Sequence, residues 1–238
     1  MTPPLVLAQP DEPFWGYAEI LLAIAAFLVA IGGSVAFARH VLHAPESGLW
    51  GVLEEVVAYA ILLLVLKLLF ARHGKKLRDS LGWSKPGPFS LRSLIIVGLS
   101  VSVAGAILEY ALGTPDVETP FVKLLADPAS RIAIVVMGVT VGPVVEELLF
   151  RGLLQPVLIG SAGVFPGILI TSVIFGALHL SQNGNLWQSG LIIMLVGFVL
   201  GTVRHISGST RASTIVHIAY NSLPMVVLLL QNVISPNK

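Results

Sequence analysis

The chain of 238 residues contains no cysteine, so disulfides, thiolate metal sites and a cysteine nucleophile are excluded from its chemistry. Charge is also scarce: Asp, Glu, Lys and Arg make up 11% of the residues, whereas a soluble domain carries about 25%. A net charge of +1, without Lys/Arg runs interleaved with aromatic residues, argues against a nucleic-acid partner. What is present is a chain that is 55% hydrophobic with a mean hydropathy of +0.88, which indicates a polytopic membrane protein.

Seven apolar segments approach or reach the length of about 20 residues that a membrane-spanning helix needs. They cover residues 17–38, 50–70, 93–113, 131–159, 166–181, 189–203 and 212–231. The fourth contains Pro143, which predicts a break or kink, and Pro156, which predicts a second bend near its end. We therefore predict an all-α, polytopic integral membrane bundle of about seven transmembrane helices, with residues 1–238 forming one membrane domain.

The distribution of basic residues predicts the orientation of the chain. Six of the 14 Lys and Arg residues lie between the second and third spans: Arg72, Lys75, Lys76, Arg78, Lys85 and Arg92. This loop is expected to be cytoplasmic, and counting spans outward from it puts the N-terminus and the loop with Arg204 and Arg211 on the same side. The expected location is a cell membrane, plasma or inner, with the N-terminus in the cytoplasm.

Three ionisable residues lie deep within the fourth span, in the sequence VVEELLFRGLL. Between Arg131 and Arg204 they are the only Asp, Glu, Lys or Arg residues. A charged side chain at the bilayer centre costs at least ~2.5–3.5 kcal/mol, so such residues are functional candidates. Glu147 and Arg151 have i,i+4 spacing with the acid first, which predicts an ion pair. Glu146 lies about 100° around the helix from Glu147, so it is free to act as a general base.

Two further polar sets lie on later spans. The sequence FGALH ends in His179, and HIAYN places His217 and Asn221 four residues apart on one helix face. Spans four and five are expected to form a hairpin centred on Ala162. Glu146 lies 16 residues before that centre and His179 lies 17 after it, so the two should reach similar depth and meet.

These three motifs, EELLFR, FGALH and HIAYN, resemble those of the CPBP or Abi family of intramembrane proteases, which are related to the type II CAAX prenyl endopeptidase. The family motifs are E-E-x-x-x-R, F-x-x-x-H and H-x-x-x-N, and the chain has all three in the same order on separate helices. The resemblance covers residues 131–231, the predicted catalytic core. Residues 1–130, with three spans and their loops, carry no family signature.

The resemblance implies an endopeptidase that cuts a membrane-embedded or lipid-anchored peptide, with prenylated CAAX-type chains as the best-known substrate class. In this scheme Glu146 and His179 activate a water molecule for attack on the peptide carbonyl. His217 and Asn221 donate hydrogen bonds to the developing oxyanion. Glu147 and Arg151 hold the fourth helix in register.

The sequence also allows other mechanisms and roles. Glu146, His179 and His217 would be a legitimate zinc-binding set, but H-E-x-x-H is absent, and we favour a glutamate mechanism without a metal or other cofactor. The chain could also act without catalysis, as a membrane immunity or scaffold protein. A second glutamate pair, Glu54–Glu55, has Tyr59 where the motif requires arginine, and we interpret it as interfacial.

Overall fold

A computed structural model describes residues 13–115, 117–125 and 127–234, and in this part of the chain the regular structure is entirely helical. The predicted all-α class is thereby confirmed. The predicted domain 1–238 also includes residues 1–12 and 235–238, which lie outside the described residues. The helices are α1 (Tyr17–His40), α2 (Gly48–Arg72), α3 (Leu77–Ser80), α4 (Leu91–Ala111), α5 (Pro120–Lys123), α6 (Pro128–Val139), α7 (Val141–Glu147), a π-helix (Leu148–Leu154), α8 (Gln155–Ala162), α9 (Val164–Leu178), α10 (Trp187–Ser207) and α11 (Thr210–Ile234).

Five helical segments of the described chain are long and apolar enough to cross a membrane, so an integral membrane bundle is confirmed but the count of seven spans is not. The five are Tyr17–His40, Leu91–Ala111, Pro128–Ala162, Trp187–Ser207 and Thr210–Leu230. The predicted span 50–70 lies in α2, which is not among them and carries Glu54, Glu55 and Lys67 along its length. The predicted span 166–181 corresponds to α9, whose 15 residues fall short of a full crossing.

The fourth segment is interrupted twice, near the two prolines that predicted a break and a bend. The first interruption is at Thr140, three residues before Pro143, where the backbone leaves the helical region (φ −131°, ψ −92°). A continuous helix would need an N–H at Pro143 to bond Val139, and the proline ring would clash with that carbonyl. The break at Thr140 removes this conflict. The second interruption is the π-helix. It ends just before the first turn of helix α8, which contains Pro156.

The hairpin between α8 and α9 turns at the predicted place. Helix α8 ends at Ala162, and Gly163 follows with φ +90°, a conformation that glycine adopts without steric cost. Around this hairpin, α1 packs against α2, α4 against α11, and α9 against α10, while α6, α7 and the π-helix lie between these pairs. The polar residues of the fourth segment therefore face other helices.

The two basic loops lie at the same end of the bundle. Ser209, in the turn between α10 and α11, donates its hydroxyl to the carbonyl of Ser84 at 2.7 Å. The backbone N–H of Thr210 donates to the carbonyl of Gly82 at 2.9 Å. At the opposite end, the N–H of Phe121 donates to the carbonyl of Gln182 at 3.1 Å. The loops predicted to share one side of the membrane are thus neighbours in the structure.

Candidate active site

Glu147 and Arg151 form a fully buried ion pair at the centre of the molecule. Arg151 Nη1 lies 2.7 Å from Glu147 Oε1, and neither side chain has exposed surface. The pair crosses the start of the π-helix, where hydrogen bonds run from residue i to i+5 and residues four apart lie nearly one above the other. The predicted ion pair is present, and it gives each buried charge the partner that a low-dielectric site requires.

A second set of contacts ties the same segment to α10. Arg151 Nη2 donates to the carbonyl of Gly197 at 2.9 Å, and Gln155 Nε2 donates to the carbonyl of Gly201 at 3.0 Å. A Cβ atom at Gly201 would lie 2.8 Å from Gln155 Oε1, so a larger residue there would force the Gln155 side chain to move. Sequence reasoning missed Gln155, although its i,i+4 spacing from Arg151 was a usable signal.

His217 of α11 joins both glutamates. Its Nδ1 lies 3.1 Å from Glu147 Oε1, the oxygen that also binds Arg151, and its Nε2 lies 3.8 Å from Glu146 Oε2. Glu147 therefore fixes the orientation of the imidazole, with Nδ1–H as the donor in the assigned tautomer. Glu146 is 23% exposed, whereas Glu147 is fully buried. The two adjacent carboxylates thus have different surroundings, and only Glu147 is held by an arginine.

His179 is at the C-terminal end of α9, next to the phenyl ring of Phe175. The imidazole Nδ1 lies 2.7 Å from the carbonyl of Phe175, and the two rings are 4.6 Å apart. Arg151 and His217 lie near the same phenyl ring. The guanidinium carbon of Arg151 is 4.5 Å from the centre of the Phe175 ring, and the centre of the His217 ring is 5.9 Å from it. With Nδ1–H donated to the backbone, Nε2 of His179 is left to accept a proton.

Asn221 is bound to the end of the broken helix. Its Nδ2 donates to the carbonyl of Gly138 at 2.7 Å. Gly138 is among the last residues of α6, whose carbonyls have no donor within the helix. The break that Pro143 causes thus provides the acceptor that holds Asn221. An amide nitrogen carries two N–H donors, so one remains available.

The predicted interaction between Glu146 and His179 is not found in the described part of the chain. The nearest imidazole to Glu146 is that of His217, and no hydrogen bond or ion pair joins Glu146 to His179 among these residues. Equal residue counts from the hairpin turn translate into equal depth only if both arms are regular α-helices. One arm contains the π-helix Leu148–Leu154, so equal residue counts do not predict equal depth here.

The residues that could bind a metal do not form a ligand set. Across the described residues, no three His, Asp or Glu side chains converge as metal ligands would. His217 and His179 each use Nδ1 for another partner, Glu147 and the Phe175 carbonyl respectively. Both imidazoles keep Nε2 free, as zinc-binding histidines also do, so the metal-independent mechanism is a proposal that chelation tests.

Comparison with known proteins gives a family match that includes this site and one similar protein. Residues 128–223 match the family described as type II CAAX prenyl endopeptidase Rce1-like. Over 145 residues the chain is 30% identical to a protein of Bacillus subtilis (strain 168) described as "Putative membrane peptidase YdiL". That match covers 59% of this chain and 57% of the relative, so the chain spans just over half of the relative's length. No solved structure gives a significant match.

Proposed function

We propose that the chain is a membrane endopeptidase, because residues 128–223 match the Rce1-like family of type II CAAX prenyl endopeptidases and the chain is similar to a putative membrane peptidase. The substrate is a membrane-embedded or lipid-anchored protein or peptide, with prenylated CAAX-type chains included in this class. The observation that carries the proposal is that Glu146 lies beside His217 and, among the described residues, forms no ion pair with an arginine, while Arg151 pairs with Glu147. A carboxylate without a cationic partner among apolar helices is suited to taking a proton.

In the proposed reaction, Glu146 removes a proton from a water molecule, and the resulting hydroxide attacks the peptide carbonyl carbon. Glu146 holds this proton, while Nε2 of His179, which is free because Nδ1 is bonded to the Phe175 carbonyl, accepts a hydrogen bond from the same water molecule and orients it. When the tetrahedral intermediate collapses, the C–N bond breaks and the leaving nitrogen takes this proton. The products are a new carboxyl group and a new amine, and no covalent enzyme intermediate is formed.

The oxyanion of that intermediate is stabilised by two hydrogen-bond donors on α11. His217 is held at Nδ1 by Glu147, so it donates from Nε2 when the imidazole carries both protons, and this N–H points toward Glu146. Asn221 keeps one amide N–H free after bonding the Gly138 carbonyl. Donors fixed in advance at the developing charge supply a large part of catalysis in acyl transfer, about 2.7–4 kcal/mol for one donor. No step is assigned to a metal.

The decisive experiment replaces Glu146 with glutamine, which keeps the size of the side chain but cannot accept the proton. Mass spectrometry of membrane peptides would compare cells that express the wild type with cells that express Glu146→Gln. We expect cleavage products in the wild type only, with a rate loss of about 10²–10⁴-fold in the variant. Glu54→Gln, which changes a buried glutamate bonded to Arg39, is the matched control and should keep cleavage. Identical peptide sets from wild type and Glu146→Gln would refute the proposal.

The Glu146→Gln variant and the cleavage assay also test two alternatives. A non-catalytic immunity or scaffold role predicts that the cellular function survives Glu146→Gln. A zinc enzyme predicts that chelation abolishes cleavage and that added zinc restores it. Cleavage that persists after exhaustive chelation would support the metal-independent mechanism.

A further inference from the structure

Seven exposed basic residues lie at one end of the bundle, and we call this set the basic surface. They are found at the end of α2, in the connection to α4, and in the first turns of α4 and α11: Arg72, Lys75, Lys76, Arg78, Lys85, Arg92 and Arg211. Two acidic residues of the described chain lie at this end. Asp79 is exposed, while Glu19 is bonded to the backbone N–H of Gly16 at 2.8 Å. The basic surface therefore carries a large excess of positive charge.

Hydrogen bonds between two loops hold separate parts of the basic surface together. The carbonyl of Ser84, the residue before Lys85, accepts from the hydroxyl of Ser209 at 2.7 Å. The hydroxyl of Ser84 donates to the carbonyl of Gly208 at 3.4 Å. Arg211 is two residues after Ser209. Lys85 and Arg211 are thus fixed on either side of the same loop contact, although they are far apart in the sequence.

None of these seven residues forms an ion pair with another described residue. The Lys and Arg residues that do form ion pairs in the described chain lie elsewhere: Arg39 with Glu54, Lys123 with Glu118, and Arg151 with Glu147. Like charges that are held close together repel one another, and an anion from outside the chain would offset this repulsion. The basic surface is therefore suited to an anionic partner.

Exposed apolar side chains lie directly next to these charges. On α2, Leu64 and Leu68 are 54% and 55% exposed, and Arg72 follows at the same four-residue spacing on the same face. On α4, Leu91 is 60% exposed and Arg92 is the next residue. The exposed apolar surface of a membrane bundle faces hydrocarbon, so the basic residues begin at the depth of the lipid headgroups. This position favours a lipid partner over an acidic segment of another protein.

We propose that the basic surface binds anionic phospholipid headgroups, with Lys85 and Arg211 donating to their phosphate oxygens. Hydrogen bonds from Lys and Arg to phosphate are charge-assisted and therefore strong. Each basic residue near an anionic membrane surface strengthens the attraction about fivefold. The attraction is electrostatic and exposed to solvent, so it weakens as the salt concentration rises. This inference does not depend on the proposed endopeptidase function.

The test titrates the purified full chain, in a neutral detergent, with phosphatidylglycerol or phosphatidylcholine. Native mass spectrometry counts the retained lipids, and thermal unfolding reports their effect on the protein. We expect phosphatidylglycerol to be retained and to raise the unfolding temperature, whereas phosphatidylcholine, which has no net charge, should do neither. Salt on the order of 0.5 M should remove most of the difference.

Substitutions locate the site on the basic surface. Lys85→Gln should weaken phosphatidylglycerol binding about fivefold, and Lys85→Gln/Arg211→Gln about 25-fold. Lys123→Gln is the matched control, because Lys123 is an exposed lysine of α5, near the opposite end of the bundle, and it should bind like the wild type. All three side chains are exposed, so the fold should be kept. Equal unfolding temperatures without lipid check this.

Three outcomes would overturn the inference. The first is that Lys85→Gln and the double variant bind phosphatidylglycerol as tightly as Lys123→Gln. The second is equal retention of both lipids by the wild type, because the headgroup charge would then have no effect. The third is unchanged lipid binding in the double variant together with a raised KM for a peptide substrate, which would assign the surface to an acidic protein segment. Loss of lipid binding with unchanged cleavage would support the inference and leave the endopeptidase function standing.

Discussion

At the residue scale, the site depends on one oxygen atom with two partners. Glu147 Oε1 accepts from Arg151 at 2.7 Å and lies 3.1 Å from Nδ1 of His217. The ion pair offsets the cost of burying two charges, while the second contact orients an imidazole. Glu147 therefore connects a stabilising ion pair to the orientation of a proposed oxyanion donor. The two roles can be separated by substitution.

Arg151→Met should destabilise the protein by about 3–5 kcal/mol, because it leaves the Glu147 carboxylate buried without a cation. In the double variant Glu147→Leu/Arg151→Met no charge remains, so most of that stability should return. Activity should not return, because His217 has lost the acceptor that fixes its orientation. Thermal unfolding in detergent and peptide cleavage measure the two properties. A double variant no more stable than Arg151→Met would show that the buried pair is not the source of the loss.

At the element scale, the position of α11 depends on how closely α4 approaches it. Gly98 of α4 lies against the backbone of α11, where a Cβ atom would be 2.6 Å from Ala219 Cβ and 3.0 Å from the Tyr220 nitrogen. Ala219 and Tyr220 lie between His217 and Asn221. A side chain at Gly98 must therefore displace the helix that carries both proposed oxyanion donors.

Gly98→Ala should consequently lower stability by about 1–3 kcal/mol, as overpacking does, and reduce cleavage as well. Gly105→Ala on the same helix is the matched control, since its Cβ would meet Ile192 at an ordinary 3.5 Å. There the better helix propensity of alanine should leave stability equal or slightly higher. Unfolding temperature and kcat are the measurements, and equal effects at the two glycines would contradict the close-approach explanation.

At the scale of the whole molecule, the adjacent basic loops make the topology testable. The chain has no cysteine, so a single introduced cysteine can be labelled without background. Lys85 and Arg211 are exposed at the end that carries both basic loops, and Glu118 is exposed in the segment that precedes α5. The three test variants are Lys85→Cys, Arg211→Cys and Glu118→Cys. With impermeant thiol reagents on intact cells, we expect Glu118→Cys to react and the other two to react only after permeabilisation. The reverse pattern would place the basic loops outside and contradict the predicted cytoplasmic N-terminus.

The sequence by itself determined the features that depend on spacing along one helix. The apolar runs indicated helices in a membrane, the i,i+4 spacing of Glu147 and Arg151 predicted their ion pair, and Ala162 was correctly taken as the centre of the α8–α9 hairpin. Three motifs in order also predicted the family. Such features are local, because helical geometry relates residues a few positions apart whatever the rest of the chain does.

Only the tertiary structure decided which residues meet across helices. Among the described residues, His217 rather than His179 is the imidazole nearest Glu146. The physical reason is that relative depth depends on helix breaks, on the π-helix and on glycines that permit close packing. A shift of one helix by one or two residues along another leaves the sequence pattern within each helix unchanged. It nevertheless changes which polar groups meet between the helices.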